Sequence, residues 1–187
     1  IAIYVHKSNP IDWVSTKFLA EIYGQKGFMD NWNKFGLSVP GCVNNKVQLI
    51  GRQVNSGTYV FFQESILGRD QDFKQEEDSI DVGNAEEVIE VVAKSPCAIG
   101  YSSLAHDNPN VKKLNISRGT GSSVVAATVE NVINQSYPLA RPLYIYSNGE
   151  PTGPLQEYLE WIKSDEGQCV AVQSGYAAIR PVNCPKP

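Results

Sequence analysis

Val47-Gln48-Leu49-Ile50-Gly51-Arg52-Gln53-Val54-Asn55-Ser56-Gly57-Thr58 passes from a β-rich run into a polar turn, and Tyr59 to Leu67 continues with a helical pattern. Strand, glycine-bearing turn and helix in that order open a βαβ unit. The first N–H groups of such a helix have no internal acceptor, and about half a positive charge stands behind them. That end is an anion cradle before any side chain is counted. Gly57 lets a ligand approach the backbone, and Ser56 and Thr58 add hydroxyl donors. Arg52 adds a planar fork suited to two oxygens of a tetrahedral oxyanion. The plainer alternative is an Arg in a surface ion pair and a Ser-Gly-Thr that only caps a helix.

Working outward, Ile1–Val5 reads as a strand ending in the turn cluster Lys7-Ser8-Asn9-Pro10. Ser15 to Tyr23 has helical spacing, with Gly24 as its stop. Lys26 to Asn45 reads as loop, anchored by Trp32, Phe35 and Cys42. After an acidic stretch from Asp70 to Asp81, Asn84 with Glu87 forms a capping-box pattern. Val88, Ile89, Val92 and Ala93 give that helix its apolar stripe, and Pro96 ends it. Ala98–Tyr101, Val111–Ile116 and Pro142–Tyr146 read as strands. Leu155, Leu159 and Ile162 mark a further helix, and Glu166–Gln173 another, stopped by Gly175. Strands alternating with helices make the class α/β.

The chain has 187 residues, 42% of them hydrophobic and 19% charged, with a net charge of −4. This is the composition of a folded domain with its own core. No apolar run approaches the ~20 residues of a membrane span, and no charged n-region with an apolar core opens the chain, so neither membrane insertion nor a signal peptide is read in it. Without a Lys/Arg cluster there is no groove for nucleic acid. A small anion is a different matter, because local dipoles can hold one.

Four cysteines, Cys42, Cys97, Cys169 and Cys184, form no CxxC pair and share no ligand spacing with His6 or His106, which argues against zinc. Their even count suits two disulfides out of three possible pairings, Cys169–Cys184 with Cys42–Cys97 being preferred; four buried thiols are the alternative. Arg118-Gly119-Thr120-Gly121-Ser122-Ser123 lacks the Lys of a P-loop and reads as a surface turn. The acidic run Asp70, Asp72, Glu76, Glu77, Asp78 fails as an EF-hand, with Lys74 and Gln75 at required positions, and reads as a solvated loop. No G-x-S-x-G elbow is present, and both histidines read as structural or surface residues. Trp13, Trp32 and Trp161 read as anchors of the core and lobes.

Five blocks together resemble the phosphate-specific periplasmic substrate-binding proteins of the ABC-transporter type. They are Ile3 to Tyr23; Gly51 to Leu67, with Arg52 and Ser56-Gly57-Thr58; Ala98-Ile99-Gly100-Tyr101; Tyr137-Pro138-Leu139-Ala140-Arg141-Pro142-Leu143-Tyr144; and Ser164-Asp165-Glu166-Gly167-Gln168 through Gly175-Tyr176. The resemblance implies a class II periplasmic-binding-protein-like fold with phosphate gripped between two lobes. It implies Arg52, Ser56, Gly57 and Thr58 as ligand contacts, with no catalysis, cofactor or metal. Inorganic phosphate is then the ligand, a membrane permease the partner, and the periplasm or the cell exterior the location.

Two departures stand out. Many members carry an acidic residue two after the Arg, where this chain has Val54. The family's N-terminal stretch, which supplies first-lobe hydroxyls and an acidic acceptor, is expected to lie outside this chain. On that footing residues 5 to 143, approximately, are the second lobe, and residues 144 to 187 are the returning C-terminal part of the first. The alternative is the same fold used as a structural, adhesion or sensor domain without a ligand.

Overall fold

The computed structural model describes residues 1–69, 71–75 and 79–185. Among these residues the main sheet has five strands in the order β4-β3-β5-β1-β6. These are β1 (Ala2–His6), β3 (Gln48–Arg52), β4 (Ile80–Val82), β5 (Ala98–Ser102) and β6 (Val111–Lys113). β3 runs parallel to β4 and β5, while β1 is antiparallel to β5 and β6. A smaller three-stranded sheet joins β2 (Trp13–Ser15), β7 (Asn115–Ser117) and β8 (Val124–Val125).

Side chains alternate across a strand, so each residue of the main sheet belongs to one of two cores. Ile3, Val5, Leu49, Ile99 and Tyr101 point into the larger one, with Leu19, Ile22 and Tyr23 of helix α1 (Thr16–Tyr23) and Phe62 of α2 (Gly57–Phe62). Ala2, Tyr4, Ile50 and Ala98 face Val88, Ile89 and Val92 of α3 (Ala85–Lys94). Gly100 belongs to this second face, where a Cβ would come 2.8 Å from Val88 Cγ1 and 3.0 Å from Val92 Cγ2. Only glycine lets α3 settle so close to β5. The capping box at Asn84 and Glu87 forms as the spacing predicts, with both reciprocal bonds present.

Two disulfides staple the fold in the preferred pairing, Cys42–Cys97 and Cys169–Cys184. The first ties the Trp32 loop to the start of β5, where the Trp32 indole N–H also donates to Cys97 O at 3.0 Å. Trp32 is the core anchor expected of it, whereas Trp13 and Trp161 are 54% and 39% exposed.

Other elements differ from the sequence reading. Val111–Ile116 is not one strand: fully buried Leu114 donates its N–H to Ile3 O, and there the chain leaves the main sheet for the smaller one. Helix α2 ends at Phe62, and the turn Gln63–Leu67 completes it in a wider, π-helical form. Asp70 and Glu76–Asp78 of the acidic run lie outside the described residues. Helix α4 (Val129–Ile133) occupies a stretch without clear periodicity.

Pro142–Tyr146 forms no strand, because it meets no neighbouring ladder among the described residues. Tyr137 and Leu139 are buried, but Leu143, Tyr144, Ile145 and Tyr146 then run exposed over the surface. Helices α5 (Pro154–Lys163) and α6 (Asp165–Gln173) follow, packed on each other, with Leu155, Tyr158 and Trp161 of α5 half-exposed.

Candidate functional site

In open α/β sheets, ligands settle beyond the carboxyl ends of parallel strands, where connections diverge to opposite faces. β3 ends at such a point, since α2 lies on one face of the sheet and α3 on the other. Arg52 closes β3, and the turn is fastened by Ser56 N–H donating to Gln53 O at 2.9 Å. Arg52, Ser56, Gly57 and Thr58 therefore share one end of the sheet.

Arg52 is held from two sides. Its backbone N–H donates to the Tyr101 hydroxyl at 3.3 Å, and its Nη2 donates to Gly83 O at 2.9 Å. Nε is buried and has no hydrogen-bond partner among the described residues. Among the described residues no carboxylate pairs with Arg52, so the surface ion pair weighed above is not what this arginine makes. A buried guanidinium nitrogen without an acceptor is costly, and an incoming oxygen would satisfy it. Ser56 does cap the helix, its Oγ accepting from Thr58 N–H at 3.2 Å. Capping and anion binding are compatible, because the Ser56 O–H and the remaining terminal amides stay available as donors.

The Tyr101 hydroxyl is placed by packing. Its ring stacks on Phe62 with centroids 4.0 Å apart, and Tyr23 meets it edge-on at 5.6 Å. Burial pushes the Tyr101 phenol well above the ordinary tyrosine range, so it stays protonated. Asp81 lies opposite Gly51 in the register, and a Cβ at position 51 would overlap its Oδ1. Among the described residues nothing donates to that carboxylate, and desolvation raises its pKa. A raised pKa means that charging Asp81 opposes folding, a cost absent below the usual Asp range and complete above the folded value. Asp81→Asn is therefore expected to stabilise the chain at neutral pH, with the gain fading on acidification through the carboxylate range. Urea midpoints measured against pH check this.

Sequence reasoning missed Arg141 as a neighbour of this site. A Cβ at Gly57 would lie 3.4 Å from its Nη2, and its guanidinium carbon stands 5.0 Å from the Phe61 ring centroid. Nothing in the spacing of Arg141 within Tyr137–Tyr144 points to Gly57.

The remaining candidates are ordinary. Arg118–Ser123 connects β7 to β8 as a surface turn, with Ser117 Oγ donating within it. His6 Nδ1 lies 2.8 Å from Ser8 Oγ in the turn after β1. His106 lines a shallow hollow beside the Lys113–Asp107 ion pair, 2.7 Å long. Among the described residues no group of three or more His, Cys, Asp and Glu could hold a metal, and no helix is long and apolar enough to cross a membrane.

Comparison with known proteins matches residues 1–166 to the family described as the PBP superfamily domain. The phosphate-binding protein PstS of Pseudomonas aeruginosa is 33% identical over 186 residues, covering 94% of this chain and 56% of its own. The chain thus spans little more than half of that relative's length.

Solved structures share the fold. A Clostridium perfringens protein, described as a candidate phosphate ABC transporter substrate-binding protein with bound phosphate, superposes with a TM-score of 0.74 at 24% identity, over 96% of this chain and 68% of that one. PstS from Borrelia burgdorferi gives 0.72 at 21% identity, over 96% and 69%. With a family match over most of its length and a fold shared with these binding proteins, the chain belongs to the PBP superfamily.

Proposed function

We propose that this chain binds inorganic phosphate, or a closely similar tetrahedral oxyanion, as part of a non-catalytic solute-binding protein of an uptake or sensing system. The observation that carries the reading is Arg52, whose buried Nε at the end of β3 lacks an acceptor among the described residues, in the same turn that leads to the Ser56 cap of α2. Arg52 supplies charge and a planar fork; Ser56 and Thr58 supply hydroxyls; Gly57 exposes backbone. The names of the relatives agree with this chemistry. Two disulfides suit an oxidising compartment, the periplasm or the exterior, where a permease would receive the ligand.

In this reading, residues 5 to 143, approximately, are one lobe and residues 144 to 187 return to the other. The exposed apolar run Leu143–Tyr146 and the half-exposed face of α5 are then where the rest of that other lobe packs. A second reading, the same fold serving as a structural or sensor domain without ligand, draws on one observation: Ser56 already caps Thr58 internally.

Calorimetric titration with phosphate separates the two. Arg52→Ala removes a charge-assisted contact of about 1.5–3 kcal/mol, so affinity should fall about ten- to hundredfold. A chain that takes up phosphate equally well with and without Arg52 would remove the basis of the proposal.

A further inference from the structure

We infer that Arg141 is a second cationic contact for the oxyanion, set at the mouth of the Arg52–Thr58 cradle; the inference rests on the phosphate reading above. Arg141 directly follows a stretch fixed by buried Tyr137 and Leu139, so its backbone is placed by the core although its side chain is exposed. The guanidinium lies over the Phe61 ring, 5.0 Å from the centroid. Its Nη2 and Nη1 would be 3.4 and 3.9 Å from a Cβ at Gly57, so the missing side chain leaves the room that the guanidinium borders.

A cation–π contact spends none of the guanidinium's N–H donors on a hydrogen-bond acceptor. Among the described residues, no carboxylate, carbonyl or hydroxyl accepts from Arg141. This differs from Arg52, whose Nη2 is committed to Gly83 O. The pair divides the work: Arg52 is anchored at the strand end, and Arg141 presents an unspent fork beside Gly57. Holding the guanidinium on an aromatic face also reduces the freedom it loses on binding. The Ile1 ammonium, pushed down to about 6 by burial and by the Arg141 charge, is the titratable group that faces Arg141. Above that range it is neutral, and two arginines favour the more highly charged form of the ligand, so phosphate dianion should gain more from Arg141 than monoanion does. Arg141 is exposed, so its contribution should weaken with added salt.

The test is titration of the 187-residue chain with inorganic phosphate, following the Gly57 and Thr58 amides by NMR on both sides of phosphate's second ionisation. Arg141→Gln should raise Kd about five- to tenfold, after allowance for solvent screening, with the larger loss on the alkaline side. Phe61→Leu, which keeps the charge but removes the aromatic face, should give an intermediate loss. Lys94→Gln removes the same charge from the far end of α3 and should leave Kd within about twofold. Phosphate binding that is unchanged in Arg141→Gln, or weakened equally by Lys94→Gln, overturns the inference and leaves the phosphate reading standing. No phosphate binding by the unaltered chain overturns that reading, and the inference with it.

Discussion

Joined to a segment that supplies the facing lobe, the chain is expected to bind inorganic phosphate about a thousandfold more tightly than it does alone, a gain of about 4 kcal/mol. The reason is dielectric. In the proposed site Arg52, Ser56, Thr58 and the first amides of α2 would meet the anion with water facing it elsewhere, and that water weakens every charged contact. A second lobe would replace that water with further donors and an acceptor for a phosphate proton, and an anion removed from water binds well only when fully coordinated. Alone, the chain should bind at about millimolar Kd. The chain covers 56% of its Pseudomonas relative, and a chimera carrying the unmatched part of that relative is a practical test. Calorimetry on both proteins measures the difference. Submicromolar affinity in the isolated monomer would show that one face suffices and that the two-lobe account is wrong.

Trp32→Ala should cost about 3–5 kcal/mol, the largest loss expected from a single substitution in this fold. Trp32 is fully buried, packs its ring 5.5 Å from Phe35, and donates to Cys97 O beside the disulfide that closes the same loop. Truncation leaves a cavity that the stapled backbone around it cannot collapse to fill. Trp32→Phe keeps much of the volume and should lose about half as much. Urea unfolding of the oxidised protein reads both values. A loss below about 1 kcal/mol for alanine would mean that the loop is not part of the cooperative core.

The residues that carry the central unit were readable because their physics is local. Val47–Thr58 shows its strand by composition and its turn by Ser-Gly, and Asn84 with Glu87 announces a helix start by spacing alone. What escaped depends on partners distant in sequence. β2 and β4 have three residues each, too few to show alternation, and exist because β7 and β3 pair with them. Leu114 splits one apparent strand because its N–H meets Ile3, a contact no local pattern encodes. Pro142–Tyr146 has strand composition but no ladder to join among the described residues, and propensity without a partner does not make a strand. Arg141 is the same case at the site. Its place beside Gly57 follows from how Tyr137 and Leu139 are buried, not from its neighbours in sequence.

The central claim is that the end of β3 and the start of α2 hold a tetrahedral oxyanion, and a crystal structure of the chain grown in high phosphate tests it most directly. The account predicts a phosphate at the Thr58 end of α2, with Arg52 Nε donating to one oxygen and the Ser56 and Thr58 hydroxyls to others. Arg52 turned outward, with no anion at the Gly57 amide or the Ser56 and Thr58 hydroxyls, would contradict it.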